Sequence, residues 1–321
     1  MFKKFKVYAL ALFLVAFLAA CGNSGQDASP KKDSGDQKQE QAFPLTKKDA
    51  AGNEITLKKK PTKIISLMPS NTEILFALGL DKEVAGVTTN DTYPEAATKK
   101  EKVGDMNVNV EKIISMQPDL VLAQGSSMGM SGEAYKQLGD AGVPVFVVEE
   151  AKSFDQVYDT IETVGELTGK EKEASNIVDD MKQDVKDVKD KASSIKKEDR
   201  KKVWVEVSGP PEIYTTGKGT FMDEMLSTIG ADNVAGDQEG WVKLSEEKAV
   251  QLNPDAIITT YGAYTKGAVE QLLSRPAWKN VTAVKDKAVT DVDGDLVTRP
   301  GPRLAEGLKE IAKAVYPDVY K

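Results

Sequence analysis

Short, fully apolar runs alternate along this chain with stretches whose apolar residues fall at helical spacing. Lys63 to Leu67, Val84 to Thr88, Leu120 to Ala123 and Val143 to Val148 read as buried strands. Between them, Thr72 to Leu78, Val110 to Gln117 and Glu133 to Ala141 read as short helices; Asn71 is the expected cap of the first and Gly79 its stop. Asp49 to Asn53 reads as a hairpin turn. The second half repeats the order. Strands are expected at Lys202 to Val207 and Ala256 to Thr260, and helices at Phe221 to Ile229, Val269 to Leu273 and Leu304 to Val315. Strands apolar on both faces alternating with helices predict an α/β fold with parallel sheets covered on both sides.

The halves echo each other in detail. EKIISMQPD at Glu111 to Asp119 returns as EKAVQLNPD at Glu247 to Asp255, and TEILFALG has a counterpart in DEMLSTIG. Asn109 and Ser245 stand two residues before their glutamates as expected N-caps. Between the halves, Ala174, Ile177, Val178, Met181, Val185, Val188, Ala192 and Ile195 form one narrow helical stripe within Lys170 to Arg200. A helix of roughly 25 residues would be about 38 Å long, enough to cross two lobes. A coiled-coil seam is the alternative, but three heptads are marginal for one.

The N-terminus reads as a targeting segment. Lys3, Lys4 and Lys6 precede an apolar run from Val7 to Ala20, short for a bilayer span but suited to a signal peptide. LAAC at Leu18 to Cys21 resembles a bacterial lipobox and holds the only cysteine, so Cys21 is the expected lipid anchor. The polar stretch Asn23 to Gln41 has too little to bury to offset its ordering entropy and reads as a tether. The expected organisation is signal peptide 1–20, tether 21–43, N-terminal lobe 44–168, interlobe helix 169–200 and C-terminal lobe 201–321.

Composition narrows the chemistry. Loss of residues 1–20 removes three lysines and no acids, moving the net charge from −7 to −10 and disfavouring a nucleic-acid partner. The 321 residues include no histidine, which removes the commonest general base and transition-metal ligand. No serine nucleophile elbow or phosphate-binding glycine loop is present, so an enzyme on this scaffold is the weaker reading, and no cofactor is called for.

As a set, IISLMPSNTEILFALGL, DTYPEA, VEKIISMQPDLVLA, TTGKGTFMDEMLSTIGADNVAGD, LSEEKAVQLNPDAII and TRPGPRLAEGL resemble the substrate-binding proteins of ABC importers whose two lobes are joined by one long helix. Members of that family bind vitamin B12, ferric siderophores or haem. The resemblance implies a monomeric lipoprotein on the outer face of the cell membrane. It would capture a large metal chelate, cobalamin first and a siderophore or haem second, and deliver it to a dimeric permease with its ATPase. Glu111 and Glu247, by resemblance, dock on permease arginines; a first-turn glutamate also simply favours the helix dipole. Trp241 and Arg299 match cleft positions of the B12 receptor pattern, while Asn90, Met106 and Val207 stand where it carries other residues. Tyr93, Ser126 and Tyr261 complete the expected cleft set.

Overall fold

The apolar runs of the first half lie side by side. The computed structural model describes residues 43–321; the signal-peptide, tether and Cys21 expectations fall on residues 1–42, outside those described. Strands β1 (Leu45–Lys48) and β2 (Glu54–Leu57) form an antiparallel hairpin, and the Asn53 backbone N–H donates to Asp49 Oδ1 at 2.7 Å in its turn. Then β3 (Ile64–Ser66), β4 (Val84–Val87), β5 (Glu101–Lys102), β6 (Leu120–Gln124) and β7 (Val145–Val148) make a parallel sheet of order β5-β4-β3-β6-β7. In the second half come β8 (Lys202–Glu206), β9 (Tyr214–Thr216), β10 (Asp232–Asn233), β11 (Trp241–Lys243), β12 (Ala256–Thr259) and β13 (Val289–Asp291). Four of them make a second parallel sheet, β10-β8-β12-β13, and β9 pairs antiparallel with β11.

Parity explains the unbroken apolar runs. Ile64, Leu120, Leu122, Phe146 and Val148 face one core, while Ile65, Val121, Ala123, Val145 and Val147 face another. In the second sheet Val203, Val205, Ala256 and Ile258 face the first of these cores, and Trp204, Ile257 and Val289 face a third. One core is thus shared by the inner faces of both sheets. The helix Glu171–Ala192 runs through it. Its 22 residues span about 33 Å. Ala174, Val178, Met181 and Val188 are buried, and the helix packs on Phe154–Thr168 of the first half and on Phe221–Thr228 and Leu304–Val315 of the second. The described residues 43–321 lie in one compact unit that holds all three cores, so this part carries its own folding determinants.

Local chemistry departs from expectation in three places. The first helix is Pro69–Ala77, opened by Pro69 rather than capped by Asn71; Asn71 is buried inside it, and its amide donates to the Ala123 carbonyl at 3.1 Å. The helix expected from Glu133 begins at Met128. The amphipathic helix Phe154–Thr168, capped by Ser153, was not anticipated. The Asn109 and Ser245 caps are present, accepting from the Lys112 and Lys248 backbones.

The repeated Pro-Asp units also have a structural cause. Gln117 (φ 51°) and Asn253 (φ 43°) turn the chain left-handed after their helices. Asp119 Oδ2 then accepts the Thr62 and Lys63 backbone N–H groups at 2.9 and 3.1 Å, and Asp255 Oδ2 accepts that of Lys202 at 2.9 Å. Each aspartate pins the start of the neighbouring central strand.

The long helix is clamped tightest at Gly165, where an added Cβ would stand 2.5 Å from the Ala174 Cβ. Gly165→Val should destabilise the protein by about 1–3 kcal/mol through overpacking. A lower denaturant midpoint checks this; an unchanged midpoint would show that the crossing can relax.

Candidate functional site

Loops that follow the parallel strands of the first half face the antiparallel β9–β11 pair and the segment around Pro300 of the second half across a cavity of about 390 Å³. One wall holds Met68 and Ser70 after β3, Gln124 and Ser126 at the end of β6, and Glu150 to Lys152 after β7. The other holds Lys218 to Phe221, Glu239 to Trp241, Thr298 and Pro300. A crevice at the carboxyl ends of parallel strands is where α/β proteins bind ligands.

Trp241 is the large aromatic surface of this cavity. It is 41% exposed, and β11 holds it opposite Thr216 of β9. Its ring meets the Phe221 ring edge-on at 5.8 Å and 65°. Phe221 is itself fixed as the first residue of a helix whose cap, Thr220, accepts the Asp223 backbone N–H. The charged residues of the lining balance: Glu150 and Glu239 against Lys152 and Lys218, with Lys218 and Glu239 paired at 3.6 Å. Gln124 is buried. Its amide nitrogen donates to the Glu149 carbonyl at 3.2 Å, while its Oε1 has no hydrogen-bond partner. A buried acceptor without a partner is costly, and a donor brought by a ligand would relieve it. Gln124 is not among the residues expected at the cleft; its polar side chain at the end of the apolar run Leu120 to Ala123 is the available signal.

Of the other expected cleft residues, Ser126 lies in the lining. Arg299 stands between the lining residues Thr298 and Pro300, but its guanidinium is turned to protein. It donates to Glu73 Oε1 at 3.1 Å and Thr92 Oγ1 at 3.0 Å and pairs with Asp295 at 2.9 Å. Asn90 contributes its carbonyl to the same guanidinium at 3.4 Å, and the half-exposed Tyr93 ring lies under Arg303 at 3.8 Å. Met106 is exposed outside the lining, and its carbonyl accepts from Ser131. Val207 packs, partly buried, against the shared core.

Tyr261 requires correction as a cleft residue. It is buried, and its hydroxyl donates to Glu206 Oε1 at 2.5 Å. Arg275 holds the same carboxylate with two nitrogens, at 3.0 and 2.7 Å. Burial, then Glu206, pushes the Tyr261 phenol well above its ordinary value. Burial opposes the charge on Arg275, yet Glu206 outweighs it and holds the guanidinium above its ordinary value. The network is internal to the second half, with the Glu206 side chain fully buried.

Glu111 and Glu247 occupy the second position of equivalent helices, Val110–Met116 and Glu246–Gln251. Both are exposed, and neither side chain makes a hydrogen bond or ion pair among the described residues. Their neighbour Glu246 is instead turned inward, accepting from Trp278 Nε1 at 3.0 Å.

Arg275→Ala should cost about 3–5 kcal/mol, because it strands the Glu206 carboxylate in the interior. Thermal or denaturant unfolding measures it; a cost under about 1 kcal/mol, typical of an exposed pair, would contradict the burial argument.

The geometry agrees with known proteins. The periplasmic binding protein family matches residues 64–296. An uncharacterized ABC transporter substrate-binding lipoprotein, YvrC of Bacillus subtilis, is 53% identical over 319 residues, covering 99% of each chain. A cobalamin-binding protein of Halobacterium salinarum is 29% identical over 283 residues, 86% of this chain and 75% of that one. The crystal structure of a possible iron-binding (periplasmic solute-binding) protein from Staphylococcus epidermidis superposes with a TM-score of 0.71 at 41% identity, covering 80% of this chain and 100% of that one. With the family matched across both sheets and the long helix between them, the chain belongs to the periplasmic binding proteins and is a substrate-binding protein of the ABC-importer type.

Proposed function

We propose that this protein captures cobalamin between its two lobes and hands it to a dimeric ABC permease, held at the outer face of the membrane by lipid on Cys21. The observation that carries the ligand choice is the charge balance of the cleft. Two carboxylates and two lysines line it, and the nearby Arg299 is already neutralised by protein carboxylates. An anionic chelate calls for free arginines or lysines; a neutral macrocycle edged with amides does not. Trp241 offers the corrin face an aromatic surface, and Gln124 Oε1 offers its amides an acceptor. The cobalamin-binding relative from Halobacterium supports the same choice. The cleft is open to solvent between its two walls, so a cobalamin can lay its corrin face on Trp241 without being fully enclosed. The free Glu111 and Glu247, one per lobe, suit a partner with two-fold symmetry.

A second reading, a ferric siderophore, is favoured by the possible iron-binding protein of Staphylococcus epidermidis at 41% identity. Calorimetric titration of Gln39–Lys321 with cyanocobalamin, and separately with a ferric hydroxamate, decides between them. Saturable one-site binding of cyanocobalamin, weakened at least tenfold by Trp241→Ala (about 1.4 kcal/mol), is the expected result. Binding of the hydroxamate alone would replace the ligand.

A further inference from the structure

The repeated helix carries a glutamate whose two copies both reach across the lobe boundary. TEILFALG at Thr72 to Gly79 and DEMLSTIG at Asp223 to Gly230 place Glu73 and Glu224 at the same point of equivalent helices, each stopped by a glycine of positive φ, 73° and 78°. Glu73 belongs to the first lobe, and its partners belong to the second. Its Oε1 accepts from Arg299 Nη1 at 3.1 Å and Arg303 Nη2 at 2.7 Å, and its Oε2 from Arg303 Nε at 2.9 Å. Glu224 belongs to the second lobe. Its Oε2 accepts the backbone N–H of Phe154, which opens the last helix of the first lobe, at 2.8 Å.

We propose that Glu73 and Glu224 are positioning residues: two ties, one from each lobe's copy of the same helix, that fix the lobe spacing across the long helix and with it the spacing of Glu111 and Glu247. The last step rests on the docking reading above. Three observations support the ties. The Glu73 side chain is only 2% exposed, and Arg299 and Arg303 are 12% and 17% exposed, so the pairs are little screened by solvent. Around Glu73 the two arginines are ion-paired with two carboxylates, Glu73 and Asp295, and Asp293 acts on Arg303 as well, so their charge is met without a ligand. Packing is close there too: a Cβ added at Gly301 would lie 3.6 Å from the Ser70 carbonyl, so the loop carrying both arginines rests on the Glu73 helix. The Glu224 tie differs in kind. It accepts a single backbone N–H at a helix N-terminus and makes no ion pair among the described residues, with Lys189 the cation that acts on it from farther off. An arginine fork on one side and a single hydrogen bond on the other make the second tie the one that yields first when the lobes part for a ligand.

The test is the distance between spin labels at Lys82→Cys in the first lobe and Lys285→Cys in the second. Both positions are exposed, and Gln39–Lys321 has no native cysteine. Glu224→Ala and Glu73→Gln should each lengthen and broaden the interlobe distance distribution by several ångström. Leu272→Ala, a core truncation within the second lobe, should lower stability and leave the distribution unchanged. If Glu73→Gln does not fold, Arg303→Lys, which breaks the fork and keeps the charge, takes its place. Unchanged distributions in the tie variants would overturn the proposal, whatever their stability. Permease docking is measured separately, as cyanocobalamin-stimulated ATP hydrolysis by the reconstituted permease. Tie variants and the Glu111→Ala, Glu247→Ala double variant should all lose stimulation. If the double variant keeps it, the docking reading fails and the distances still decide the ties; if only the tie variants keep it, the link from lobe spacing to docking fails.

Discussion

The apolar stripe of the helix Glu171–Ala192 is the constraint on which the molecule depends. It makes two structurally similar halves share one core, which runs from Ile64 and Leu122 under the first sheet to Val205 and Ile258 under the second. Buried aliphatic side chains contribute about 1.5–3 kcal/mol each. Pulling the halves apart along this helix would therefore expose Ala174, Val178, Met181 and Val188 together. Free rotation of one lobe on the other is ruled out by that exposure alone. Any opening of the cleft must then be small, and the proposed Glu73 and Glu224 ties would resist it.

The chemistry of the cleft follows from what those ties consume. Arg299 and Arg303 are the strong anion-binding groups beside the cavity, and both are held on Glu73. What is left for a ligand is a balanced lining, the exposed Trp241 and the unpaired Gln124 acceptor. In the proposed function, architecture and selectivity are coupled: the ion cluster between the two halves also removes positive charge from the site.

The sequence made the sheets and the long helix legible because their signals are local. Periodicity marked every central strand to within a residue or two, and Asn109 and Ser245 were readable as caps from position alone. Partners distant in sequence were not readable. Arg299 was read as a ligand contact because it matches a cleft position of the B12 receptor pattern; Asp295 is a near neighbour that pairs with it, but the partner that turns it to the other half, Glu73, lies 226 residues away. Tyr261 followed a strand, as a cleft residue should, but Glu206 from the neighbouring strand draws its hydroxyl inward. Asn71 had the chemistry of a cap, yet Pro69 starts the helix two residues earlier, and the Ala123 carbonyl captures its amide. The helix Phe154–Thr168 was missed although Ser153 and Gly169 bound it, because its apolar face merges in sequence with the stripe that follows.

If a neutral, amide-edged macrocycle binds between the lobes while the arginines stay on Glu73, a crystal structure with cyanocobalamin will show the corrin face against Trp241, a ligand amide donating to Gln124 Oε1, and Arg299 and Arg303 still paired with Glu73. Cobalamin bound elsewhere, or Arg299 turned from Glu73 to the ligand's phosphate, would contradict this binding mode.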